Sequence, residues 1–134
     1  MVCVHCGQKT QVINSRSQRR NNQVWRRREC LSCGAVFTTI EATDYSSAWT
    51  VRAKSGHFGP FSRDKLLMSL YRSCEHRSTA LSDASYLSET VIKKLLTQVK
   101  DGSLSAATIA RTAQVALSRF DKAASVSYQA FHKV

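Results

Sequence analysis

Proline, acidic residues and long apolar runs are scarce in this chain. Pro60 is its single proline, and nine Asp and Glu stand against twenty Lys and Arg. No run approaches the roughly 20 consecutive apolar residues that a membrane span needs. Met1-Val2-Cys3-Val4-His5 lacks the basic-then-apolar order of a secretory signal, so a cytoplasmic, reducing setting is expected. There is no internal repeat and no low-complexity segment. No Gly-x-x-x-x-Gly-Lys stretch occurs, which excludes a P-loop as a phosphate cradle. Ser/His/Asp clusters and helix-spaced carboxylate pairs are missing too. His5, His57, His76 and His132 are scattered, so the chain reads as a binding protein and not an enzyme.

What remains is basic. The 134 residues carry a net charge of +11, and the pI of about 9.9 exceeds the value of about 9 that flags a nucleic-acid partner. Cys3-x-x-Cys6 and Cys30-x-x-Cys33 form two pairs, each followed directly by glycine. In a reducing compartment such pairs bind metal more often than they form disulfides. A Cys-x-x-Cys turn aims two thiolates at one ion, turn amides donate to the sulfurs, and Gly7 and Gly34 let each turn close. Four cysteines fill a zinc tetrahedron, so the Zn2+ is expected to be structural. Cys74 falls in a helical apolar pattern and reads as a core residue.

Arg16, Arg19, Arg20, Arg26, Arg27 and Arg28 lie between the cysteine pairs. Guanidinium forks suit phosphates and guanine edges, which points to DNA. If Gln23 to Arg28 is a strand, Arg26 and Arg28 share one face and Arg27 lies opposite with Trp25. On this reading Arg26 and Arg28 are the contact edge.

Composition changes near residue 45, giving two expected domains, 1–45 and 46–134. The polar stretch 42–47 reads as a linker. The first domain is too short for a useful apolar core and calls for a metal. Its strands are expected at Gln11–Asn14, Gln23–Arg28 and Val36–Ile40, with a turn at Asn21-Asn22. The second domain opens on a hairpin turning at Ser55-Gly56. A first helix follows, capped by Ser62, with Leu66, Leu67, Leu70 and Cys74 on its stripe. A second carries Leu87, Val91, Ile92, Leu95 and Val99 and stops at Asp101-Gly102. Ser105 caps a third through Leu117, and a fourth runs from about Asp121 to His132. The fold class is α+β: a small β zinc ribbon, then a mainly helical domain with an N-terminal β-hairpin.

Several strings resemble the bacterial transcriptional repressor NrdR family. They are Cys-Val-His-Cys-Gly at the start, Val12-Ile13-Asn14-Ser15-Arg16, Val24 to Gly34 with its triple arginine, and Phe37-Thr38-Thr39-Ile40-Glu41. Pro60 to Leu66 and Cys74-Glu75-His76-Arg77 extend the likeness more loosely. The resemblance implies a zinc ribbon joined to an ATP-cone domain. It also implies a homo-oligomeric repressor of ribonucleotide reductase genes that binds double-stranded operator DNA under control of ATP and dATP. Such a protein is bacterial, cytoplasmic and associated with the nucleoid when on DNA. The cone is divergent: the hairpin has Ala53 where the family has a basic residue, Gly59 precedes Pro60, and Ser78 follows Arg77. Arg52, Lys54, Lys65 and Arg77 are the candidate nucleotide-binding cations, since a triphosphate needs convergent positive charge. A second reading is a zinc-ribbon nucleic-acid or protein interaction module whose cone no longer senses nucleotide.

Overall fold

A computed structural model describes residues 1–132. The chain forms two compact units, 1–43 and 44–134. Their combination of a β unit and a mainly helical unit is an α+β fold.

The first unit is one antiparallel sheet in the order β1-β2-β3, with β1 Thr10–Gln18, β2 Gln23–Cys30 and β3 Val36–Ala42. Each strand outruns its expected range, because the cross-strand ladder continues past the β-branched stretch. A turn at 19–22 joins β1 to β2, and Asn22 takes a left-handed φ of 52° there. Register slips between Val12 and Asn14, so Ile13 is a bulge. Beyond it Asn14 faces Arg27, Ser15 faces Arg26 and Arg16 faces Trp25. Within this unit the buried side chains are Cys3 and Cys30.

The apolar core lies entirely in the second unit. Leu70, Leu95 and Leu117 are fully enclosed there, with Cys74, Val91 and Ala113 beside them. Cys74 is thus a core residue. Truncating one such leucine to alanine costs about 2–5 kcal/mol. The helices are α1 Tyr45–Ala48, α2 Arg63–Ser73, α3 Ala80–Leu95, α4 Ala106–Phe120 and α5 Lys122–Phe131. Ser62, Ser105 and Asp121 cap α2, α4 and α5, their side chains accepting from Lys65 N, Thr108 N and Ala124 N.

Three expectations need correction. Part of the stretch read as a linker is helical: Asp44 caps α1, and Tyr45 packs on Trp49 with ring centroids 4.3 Å apart. The hairpin β4 Thr50–Arg52 and β5 Phe58–Pro60 is not alone, for β6 Ser103–Ser105 pairs parallel to β4. Gly102 does not end α3, whose C-cap is Leu96. With φ of +71°, Gly102 turns the chain into β6, and its carbonyl accepts Thr50 N at 2.8 Å. A Cβ there would lie 3.0 Å from the Ala48 carbonyl oxygen, so glycine suits this turn sterically as well.

Candidate functional site

Two matching turns bring the four cysteines together. Gly7 and Gly34 sit at φ of +77° and +75°, and their amides donate to the Cys3 and Cys30 carbonyls. His5 N donates to Cys3 Sγ at 3.3 Å, while Ser32 N and Cys33 N donate to Cys30 Sγ at 3.3 and 3.4 Å. These bonds stabilise thiolate charge. All four Sγ atoms lie within 4.8 Å of one another, with Cys3–Cys33 at 3.7 Å and Cys6–Cys30 at 3.5 Å. Zinc–sulfur bonds of about 2.3 Å in a tetrahedron set sulfurs about 3.8 Å apart. The Cys33 and Ser32 amides hold the Cys30 thiol down at about 6. The Gln8 amide pulls the Cys6 thiol down, but the Cys30 thiol, burial and the other two cysteines outweigh it and push it up to about 12. Thiols this crowded resist ionising together unless a cation neutralises them. The donor set, spacing and geometry all fit a structural zinc ion.

The sheet sorts the arginines. Arg26 Nη1 donates to Ser15 Oγ at 3.0 Å, and Arg26 Nη2 lies 3.5 Å from Glu41. Arg28 Nη1 donates to Thr10 Oγ1 at 3.2 Å. Both side chains are half-buried against their own sheet. The opposite face is open. Arg16, Trp25 and Ile40 form one cross-strand row, Asn14, Arg27 and Thr38 the next, and all six are exposed. Trp25 Nε1 donates to Gln23 Oε1 at 3.2 Å, fixing the indole edge. A shallow hollow of about 260 Å³ is lined by Asn14, Arg16, Trp25, Arg27 and Thr38, with Ser15 and Arg26 also on its wall. Arg19 and Arg20 stand exposed in the β1–β2 turn. Of the six arginines, Arg16, Arg19, Arg20 and Arg27 are exposed, while Arg26 and Arg28, the expected contact edge, are half-buried.

The second unit holds a cavity of about 430 Å³. Ala53, His57 and Phe58 of the hairpin, Ser62 and Lys65 at the start of α2, Ala106 and Ala110 of α4, and Tyr128 and His132 at the end of α5 form its walls. Of the expected nucleotide cations, Lys65 lines it. Lys54 lines an adjoining hollow together with His132. Arg52 is exposed on β4 and Arg77 is engaged elsewhere. Arg77 Nε donates to Asp83 and Nη1 to Asp121, both at 2.8 Å, and its guanidinium lies 4.7 Å from the Phe120 ring centre. Asp121 also receives His76 Nε2 at 3.2 Å. The Ala124 amide, then Arg77 and His76, hold the Asp121 carboxyl far below the usual carboxylate range. Sequence reading missed His57, Phe58, Tyr128 and His132. The hairpin, which ends at Pro60, and the last helix, which starts at Lys122, are far apart in the chain, and no local motif links the two.

The family described as "Transcriptional repressor NrdR-like, N-terminal domain", a zinc ribbon, matches residues 1–41. Curated relatives match over much more. A transcriptional repressor NrdR of Symbiobacterium thermophilum is 32% identical across 99% of this chain and 87% of its own length. One from Oceanobacillus iheyensis is 36% identical across 100% of this chain and 83% of its own. A third, from Syntrophus aciditrophicus, is 38% identical over 75% of this chain and 58% of its own. The cysteine cluster is therefore a zinc-ribbon centre, and the chain belongs to the NrdR family of transcriptional repressors.

Proposed function

We propose that this protein is a zinc-dependent repressor whose ribbon docks on double-stranded operator DNA, and whose second unit answers to ATP and dATP. Ribonucleotide reductase genes are the proposed targets, as the family resemblance implies. The exposed Arg16–Trp25–Arg27 face carries the reading. Guanidinium groups there have no side-chain partner among the described residues, and they flank an aromatic surface on a sheet pinned by metal. Arginines so placed suit phosphates and base edges, while Asn14 and Thr38 add neutral hydrogen-bonding groups. Arg19 and Arg20 extend the charge along the turn.

The cavity of the second unit supports the nucleotide reading, with room and aromatic walls for a purine. A nucleotide acts as a switch only if it binds one assembly better than another. Two ribbons must be offered at the spacing of two DNA sites, so a homo-oligomer belongs to the mechanism. Arg77 holds the helices in place on this reading, leaving Lys65 and Lys54 as the lysines for the phosphates.

Gel shift with operator DNA, run with and without dATP and paired with particle mass, tests this. Operator affinity and mass should both move with dATP. Affinity that ignores the nucleotide would favour an interaction module whose cone does not sense it.

A further inference from the structure

The cavity of the second unit is cationic in a particular way. Lys65, His57 and His132 line it, and among the described residues no carboxylate does. Two helix N-termini open onto it, that of α2 through Ser62 and Lys65 and that of α4 through Ala106. Their dipoles favour an anion. The His57 carbonyl accepts Ala53 N at 2.8 Å, so His57 faces an uncharged residue across the hairpin. His132 stacks on Tyr128 with centroids 4.0 Å apart and planes at 11°. Its Nδ1 lies 3.2 Å from the Tyr128 carbonyl oxygen, which can only accept. Nδ1 therefore donates to that carbonyl, which leaves Nε2 as the ring atom free to face a ligand.

We propose that His57 and His132 join Lys65 as the phosphate-binding groups of this cavity, so that nucleotide binding takes up protons. The inference rests on the nucleotide reading above. Imidazolium is a donor and a cation, whereas neutral imidazole offers an anion only one N–H. Histidine as a residue type changes charge between about pH 5 and 8. Affinity for an anionic nucleotide should therefore rise as pH falls across that range.

Other charged groups lie near the two rings. Asp64, Arg72 and Glu75 of the α2 region share a neighbouring groove with His132. Lys54 of the hairpin shares another. The α4 residues on the cavity, Ala106, Ile109 and Ala110, are uncharged. Burial pushes the Tyr128 hydroxyl up, which keeps it neutral.

Calorimetry with dATP on the zinc-loaded full chain tests the proposal. It is run at about pH 6, 7 and 8 in buffers of different ionisation enthalpy, which reports the protons exchanged. Relative to a His57→Asn, His132→Asn double variant, the wild type should gain about tenfold in affinity from pH 8 to 6 and take up protons on binding. The difference cancels the titration of the nucleotide's own phosphate. A His57→Lys variant should bind more tightly than wild type at about pH 8 and take up fewer protons. It supplies a positive readout should the asparagine variants fold poorly. Equal proton uptake in wild type and double variant, or no gain from lysine, overturns the assignment. No heat with dATP at any pH overturns the nucleotide reading and this inference with it; binding without proton linkage overturns this inference alone.

Discussion

At the scale of single residues, exposure decides which arginines are available. Arg26 and Arg27 are neighbours in sequence with opposite fates. Arg26 is spent on Ser15 and Glu41, while Arg27 stands open between Asn14 and Thr38. Each phosphate contact adds about 0.9 to the slope of log affinity against log salt. Replacing Arg16 and Arg27 together by alanine should weaken operator binding and flatten that slope by about 2. Arg26→Ala should change the slope little. Gel shifts across a salt series check both, and a larger change of slope for Arg26→Ala than for the Arg16 and Arg27 double variant would reverse the assigned face. The alternation of β2 was legible in Trp25-Arg26-Arg27-Arg28. Which face is covered was not, because that depends on Ser15 and Glu41 reaching across from other strands, and on the bulge at Ile13 that sets the register.

At the scale of elements, caps and stripes were readable where the signal was local. Ser62 and Ser105 cap helices as their sequence positions suggested. The strand β6 was hidden, since Ser103-Leu104-Ser105 has no strand pattern of its own and is fixed by pairing with β4. The clamp at α5 was hidden for the same reason: Arg77, Asp83 and Asp121 meet only once α2, α3 and α5 are packed. Asp121 both caps α5 through Oδ1 and binds Arg77 and His76 through Oδ2. The Asp83 carboxyl is also held down, first by the Thr79 hydroxyl and then by Arg77. Carboxyls with lowered native pKa add stability above their ordinary value of about 4, and that stability fades as pH falls through the native values. Asp121→Asn keeps a capping side chain but loses the ion pairs. It should lower the melting temperature of the second unit at neutral pH and reduce its dependence on pH below about 4. Thermal melts across an acid series check this. A variant as acid-sensitive as wild type would remove Asp121 from the account.

At the scale of the whole molecule, the two units are held by different physics. In the first, the buried side chains are zinc ligands, and no residue of 1–43 belongs to the apolar core. Its folding free energy is therefore bound to the metal, as in other small ribbons. In the second, an apolar core from Trp49 to Tyr128 needs no ion. Removing zinc with a chelator should melt the ribbon and abolish operator binding while the second unit stays folded. Circular dichroism should lose strand signal and keep helical signal. If dATP acts by changing assembly within the second unit, the chelated protein should still change mass with dATP. That result separates sensing from DNA reading in one sample. Helical signal lost together with the strands would mean that the second unit depends on the ribbon for its fold. A chelated protein that stays folded but no longer responds to dATP would instead place part of the sensing machinery in the ribbon.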